Sequence, residues 1–134
     1  MSLLAIGIAL DKRLATMSPA LATANENVNY VPVVNTAYQQ SNLLPATPDN
    51  PTIGGNHYLE LGIYQVTLKY PKNTGRGAAI ARAEAVKNHF PRGLSLTEAG
   101  VTLTITRTPA VAPAFMQDDR YCVPVSIQYH AHIN

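Results

Sequence analysis

The chain has 134 residues, 46% hydrophobic and 13% charged, with ten basic and eight acidic residues for a formal charge of +2. Its length suits one domain, residues 1–134, able to bury about 70% of the surface its unfolded form exposes. The balanced charge has no basic run, which speaks against a reader of duplex nucleic acid, and the single cysteine, Cys122, excludes an intrachain disulfide and a four-cysteine zinc site.

The charged share lies far below the usual figure of about 25%. Such an exterior is either buried in part against other subunits or solvated by short polar residues, and we take the first as the expectation. At the N-terminus, the apolar run Leu3 to Leu10 is preceded by no basic region and closed by Asp11, Lys12 and Arg13. It reads as neither a signal peptide nor a membrane span. Leu3, Ile6, Leu10, Leu14 and Met17 fall on one helical face, predicting an amphipathic helix over residues 3–16. Ser2 is its expected N-cap and Ser18-Pro19 its stop.

Residues 18–57 are rich in Ala, Asn, Thr and Pro and carry no helical period. Short extended pieces are expected at Asn25–Tyr30 and Ala37–Leu44. After them Pro45, Pro48, Pro51 and Gly54-Gly55 punctuate a long polar loop, which is either an arm ordered on assembly or a mobile hairpin tip.

Tyr58 to Tyr70 is the longest strand candidate, and its alternation changes phase. Leu59, Leu61 and Ile63 share one face, whereas Tyr64, Val66, Leu68 and Tyr70 share the other. Two accounts are open: a one-residue bulge near Gly62 restores a single core face, or part of the strand projects and buries its second face against a neighbour. At about 3.3 Å per residue the strand reaches roughly 43 Å, more than most single-domain sheets need.

Pro71 to Gly77 is a turn, and Ala79, Ala83, Val86 and Phe90 define the buried face of a second helix stopped by Pro91 and Gly93. The lead-in Gly75-Arg76-Gly77 lacks the remainder of a phosphate-binding pattern, so it reads as a turn and cap. Val101, Leu103 and Ile105 alternate with threonines. Tyr121, Val123, Val125, Ile127 and Tyr129 repeat that phase, with His130 and His132 on the polar face. The two runs predict a half-buried antiparallel ribbon.

The connection Pro109 to Arg120 is too long for a tight hairpin and carries Phe115 and Met116. These either dock on a partner or fold back over the sheet edge as a satellite core. Asp118 and Asp119 read as a solvated loop with Arg120 as local counter-charge. His130 and His132 share a strand face and in principle share a metal with His57, His89 or a carboxylate, but spacing identifies no third ligand. Two polar-face histidines at a strand end are the simpler account, and Cys122 reads as a small buried hydrophobe. No catalytic constellation emerges, and no cofactor or metal is expected.

Several of these residues also carry a resemblance. Glu26-Asn27-Val28, Leu43-Leu44-Pro45-Ala46 with Pro48 and Asn50-Pro51, Gly62-Ile63-Tyr64-Gln65-Val66 and Tyr70-Pro71 come first in the chain. Gly75 to Ala85, His89-Phe90-Pro91-Arg92-Gly93-Leu94, Ile105-Thr106-Arg107-Thr108-Pro109 and Val123-Pro124-Val125-Ser126-Ile127 follow. In this order they resemble the tail-terminator, or tail-completion, proteins of long non-contractile-tailed phages, from about Asn25 to the end.

The resemblance implies an α+β subunit: a mainly antiparallel, mixed sheet with two helices on one face and long projecting loops or a hairpin. It implies a structural virion protein, not an enzyme, that forms a hexameric ring at the head-proximal end of the tail. Its partners would be further copies of itself, the tail tube protein and the head–tail connector protein. Genome DNA would pass through the lumen without sequence-specific binding, no membrane would be involved, and assembly would occur in the host cytoplasm. The residues expected at its interfaces are Leu59, Leu61, Phe115, Met116, Asp118, Asp119 and Arg120. The competing readings are a head–tail connector or minor tail protein, a small metal-dependent hydrolase using His130 and His132, and a nucleic-acid-binding module.

Overall fold

The computed structural model describes every residue except Met1, Pro19, Pro51, Thr52, Gly54, Asn56, Asp118 and Asn134, and leaves the side chain of Ser2 undescribed. Helix α1 spans Ser2–Ala15. The expected stripe of Ile6, Leu10, Leu14 and Met17 is buried, joined by Ala5 and Ala9. Two expectations at its start fail. Ser2 is already helical rather than capping, and the residue before it lies outside the described residues. Leu3 is 41% exposed, lining a surface depression together with Leu43. Lys12 and Arg13 occupy the last turn, where cations complement the helix dipole.

After α1 come β1 (Thr23–Ala24), β2 (Tyr38–Pro45) and β3 (Tyr58–Pro71), then α2 (Gly77–His89), β4 (Ser95–Glu98) and β5 (Val101–Ile105). The chain ends with β6 (Ala110–Val111), β7 (Phe115–Gln117) and β8 (Arg120–Ile133). The sheet order is β1-β2-β3-β8-β5-β4, with β6 and β7 also paired to β8. Every pairing is antiparallel except β1 with β2, so the sheet is mixed. The fold is therefore α+β, as expected.

The expected extended piece at Asn25–Tyr30 is instead irregular and begins with a turn. Asn27 takes a left-handed φ of 56°, which its short amide side chain tolerates, and the Val28 N–H closes the turn on the Asn25 carbonyl. Residues 109–120 are likewise not a free loop. β6 and β7 continue the edge of β8 beyond the point where β5 leaves it, pairing Ala110 with Ser126 and Phe115 with Cys122.

β3 and β8 run side by side without a skipped residue, from Tyr58 opposite Ile133 to Pro71 opposite Arg120. There is thus no bulge at Gly62. Even-numbered residues from Glu60 to Leu68 all face the helices, and Leu59, Leu61 and Ile63 occupy the opposite face. Gly62 has a different purpose: a Cβ there would lie 2.7 Å from the Tyr129 hydroxyl and 2.6 Å from the Leu44 carbonyl. The tyrosine from β8 crosses β3 at the one position without a side chain.

Both helices pack on this even-numbered face of β3. Tyr64, Val66 and Leu68 meet Val123, Val125 and Ile127 of β8 and Leu103 and Ile105 of β5 in one core. Ile6 and Leu10 cover it from α1, and Ala79, Ala83 and Val86 from α2 with Phe90 just past its end, all 0% exposed. The small residues of α2 bring its backbone close to the strands. Two side chains tie the helices to each other: Arg13 Nε donates to the His89 carbonyl at 3.0 Å, and His89 Nε2 donates to the Arg13 carbonyl at 2.8 Å. Tyr64 donates to Asp11 Oδ1 at 2.6 Å, anchoring α1 to β3; burial and then the adjacent carboxylate push the phenol well above its ordinary range. Among the described residues, no helix is long and apolar enough to cross a membrane.

Candidate assembly surfaces

The face of the sheet away from the helices is covered at one end and bare at the other. At the covered end Tyr38, Lys69, Cys122 and Phe115 form a row across β2, β3, β8 and β7. Residues 30–37 fold over this row. Tyr30 packs on Tyr38 with ring centroids 4.9 Å apart, and the Arg120 guanidinium lies 5.1 Å from the Tyr38 centroid. Arg120 also donates to the carbonyls of Thr36 and, at 2.8 Å, Val33. A planar guanidinium with several donors suits this combined stacking and bonding. Cys122 beneath is fully buried, as its apolar setting implied.

Arg120 is therefore not the counter-charge of Asp119. Asp119, in a left-handed conformation (φ 61°), pairs instead with Lys72 at 3.3 Å. The Asp119 side chain is 82% exposed, so the pair contributes little. Asp118 lies outside the described residues.

At the bare end, an apolar groove of about 380 Å³ is lined by Ala46, Leu59, Leu61 and Ile63, with Thr106, Gln128 and His130 along its sides. The three β3 side chains are half-buried. They are the apolar second face that the phase change announced, and no segment of the described chain covers them. His132 sits opposite Leu59 and His130 opposite Leu61.

The structure brings His57 to these two: its ring stacks on His132 with centroids 5.5 Å apart, and His132 meets His130 edge-on at 5.3 Å. Burial, and then His132, lowers the pKa of His130. His89 is elsewhere, between the helix ends. Among the described residues no group of three His, Cys, Asp or Glu side chains is arranged to hold a metal ion.

Phe115 and Met116 are 45% and 58% exposed, so they are not a satellite core in the single copy. Phe115 pairs with Cys122, placing it on the same sheet face as the groove but at the far end. Eight residues of β8 separate Cys122 from His130, about 26 Å at roughly 3.3 Å per residue.

Two further apolar surfaces escaped sequence reasoning. Val28, Val31, Val33 and Val34 are 60–81% exposed along the segment over Tyr38, where they follow no periodic pattern. Leu4 and Ile8 of α1, 60% and 37% exposed, stand on the side of the helix away from Ile6 and Leu10. Their signal was present in the sequence, since residues 3–10 are apolar on every side, and a helix of that kind is normally buried all round.

Comparison with known proteins agrees with this architecture. A solved structure aligns over 100% of this chain and 98% of its own with a TM-score of 0.81 and 24% sequence identity, a likeness of fold. No curated protein matches the chain. The sequence model of the phage tail terminator protein family matches residues 5–129. The chain thus belongs to the phage tail terminator family, structural proteins of the virion that associate with other components of the phage tail and head.

Proposed function

We propose that this protein closes the head-proximal end of the tail tube as a homo-oligomeric ring, a hexamer, ending tube polymerisation and offering the surface to which the head–tail connector joins. The observation that carries the reading is the amount of apolar surface a single copy leaves uncovered: the Leu59–Leu61–Ile63 groove, the outward side of α1, and the Phe115–Met116 strand. Isolated apolar side chains on a surface are ordinary, but several grouped patches on a chain with so little charge fit burial between subunits.

In this reading residues 1–134 act as one unit, and Leu59 and Leu61 lie at the boundary between ring neighbours. Phe115, Met116 and the turn with Asp118, Asp119 and Arg120 contact the tail tube or a ring neighbour. Genome DNA passes through the lumen held by no sequence-specific contact, consistent with a formal charge of only +2. The role is structural and uses no catalytic group.

The test is native mass spectrometry of the purified protein together with electron microscopy of tails assembled with it. A closed ring of one stoichiometry at a single tube end supports the proposal. Monomers in both settings refute it, and a ring that binds the connector but never the tube makes the protein a head–tail connector instead.

A further inference from the structure

Resting on the ring reading, we infer that the apolar groove on the sheet's outer face receives the outward side of α1 from a second copy of this chain. Leu4 and Ile8 are the inserted side chains, and Asp11 meets the histidines at the groove's end.

The fit follows from lengths and chemistry. From Ile63 to Leu59 the groove runs about 13 Å at roughly 3.3 Å per residue. Along α1, Leu4 to Asp11 spans about 10.5 Å at roughly 1.5 Å per residue. His130 lines the groove opposite Leu61, and His132, opposite Leu59, stands next to it with the His57 ring stacked on its own. On the exposed side of the helix Leu4 and Ile8 are followed one turn on by Asp11, which is itself exposed. This carboxylate accepts the Tyr64 hydroxyl through Oδ1. Imidazoles facing a carboxylate give the contact a direction, with the start of α1 at Ile63 and Asp11 at His132. Docking an apolar helical face in a groove through residues one turn apart is a recurrent mode of recognition.

The layers favour this occupant over Phe115. α1 lies behind the sheet and the groove in front, so helix-in-groove contacts stack copies front to back. Such a contact uses two different surfaces and repeats around a ring. Phe115 shares the groove's own face, and seating it there requires the second copy to be turned over.

Paired cysteines provide the test. In the Ile8→Cys/Leu61→Cys chain, a short bismaleimide should produce a ladder of covalent species ending at the ring number. A mixture of the two single variants should stop at dimers, and wild type, with Cys122 buried, should give none. Separately, Leu4→Asp should weaken self-association about ten- to hundredfold, the range for a lost buried leucine, while the dissociated subunit melts at the wild-type temperature. An intact ring without an 8-to-61 link overturns the contact and leaves the ring reading standing. Links from 8 to 8, or from 61 to an added cysteine at 115, overturn it in favour of paired helices or of the edge strand. A wild-type chain that is monomeric even on tails overturns the ring reading and this contact together.

Discussion

Truncating Val66 and Leu61 to alanine separates the two faces of β3. Val66 is 0% exposed between the helices and β8, whereas Leu61 is half-buried on the opposite face. Val66→Ala removes two carbons worth about 0.8 kcal/mol each, and the residual cavity raises the loss to about 2–3 kcal/mol. For 134 residues at about 2.1 cal/mol/K each, the unfolding entropy is about 0.28 kcal/mol/K, so the midpoint should fall by about 7–11 °C. Leu61→Ala removes more atoms, but in the dissociated subunit they line an open groove and are only partly buried, so no closed cavity is left behind. Its cost there should stay below that of Val66→Ala, at about 1.5–2 kcal/mol or roughly 5–7 °C. The aspartate pair sharpens the contrast: Val66→Asp buries an unpaired charge and should prevent folding, while Leu61→Asp should fold and fail to assemble. Calorimetry on dilute subunits, confirmed monomeric by light scattering, gives the midpoints. Equal losses for the two alanine variants, or a larger loss at Leu61, would refute the assignment of faces.

Acid should weaken the fold through His89 and His130, whose folded pKa values lie below the ordinary 6.5 chiefly because burial disfavours the charged ring. The unfolded chain then binds more protons, so stability is full above 6.5 and declines as pH falls through the folded values; urea midpoints should drop across that window and drop less in His89→Gln, and a flat profile would contradict the burial argument. Gly62→Ala should cost about 1–3 kcal/mol by overpacking against the Leu44 carbonyl and the Tyr129 hydroxyl, and an unchanged melting temperature would show that the crossing is looser than described. Tyr64→Phe should cost about 1–2 kcal/mol because a bond to a carboxylate is lost; pairing it with Asp11→Asn in a double-mutant cycle should reveal coupling, and additive losses would exclude it.

Strongly periodic segments were legible in the sequence. Ala79, Ala83, Val86 and Phe90, and the alternation through β5 and β8, predicted buried faces that the structure reproduces, because one-sided burial writes a clear period into the residues. Legibility fails where two faces are apolar. Leu59, Leu61 and Ile63 followed by Tyr64, Val66 and Leu68 permitted either a bulge or a second face, and only the unbroken pairing with β8 decides. The outward leucines of α1 failed for the same reason, hidden by a run apolar on all sides. Contacts between distant segments had no local signal. His57 reaches His132, and Arg120 holds residues 33 and 36 in preference to Asp119. β6 and β7 are too short, at two and three residues, for alternation to distinguish them from loop.

The central claim is that the protein ends tail-tube growth, and the direct measurement is tube length. Tail tube protein from the same virion, polymerising in vitro, should stop elongating when the wild-type chain is added at about one ring per tube. Electron microscopy should then show a ring at one end, and Leu61→Asp, folded but unable to assemble, should leave elongation unchanged. Tubes that lengthen equally with and without the wild-type chain, or that carry it along their sides, would contradict the account.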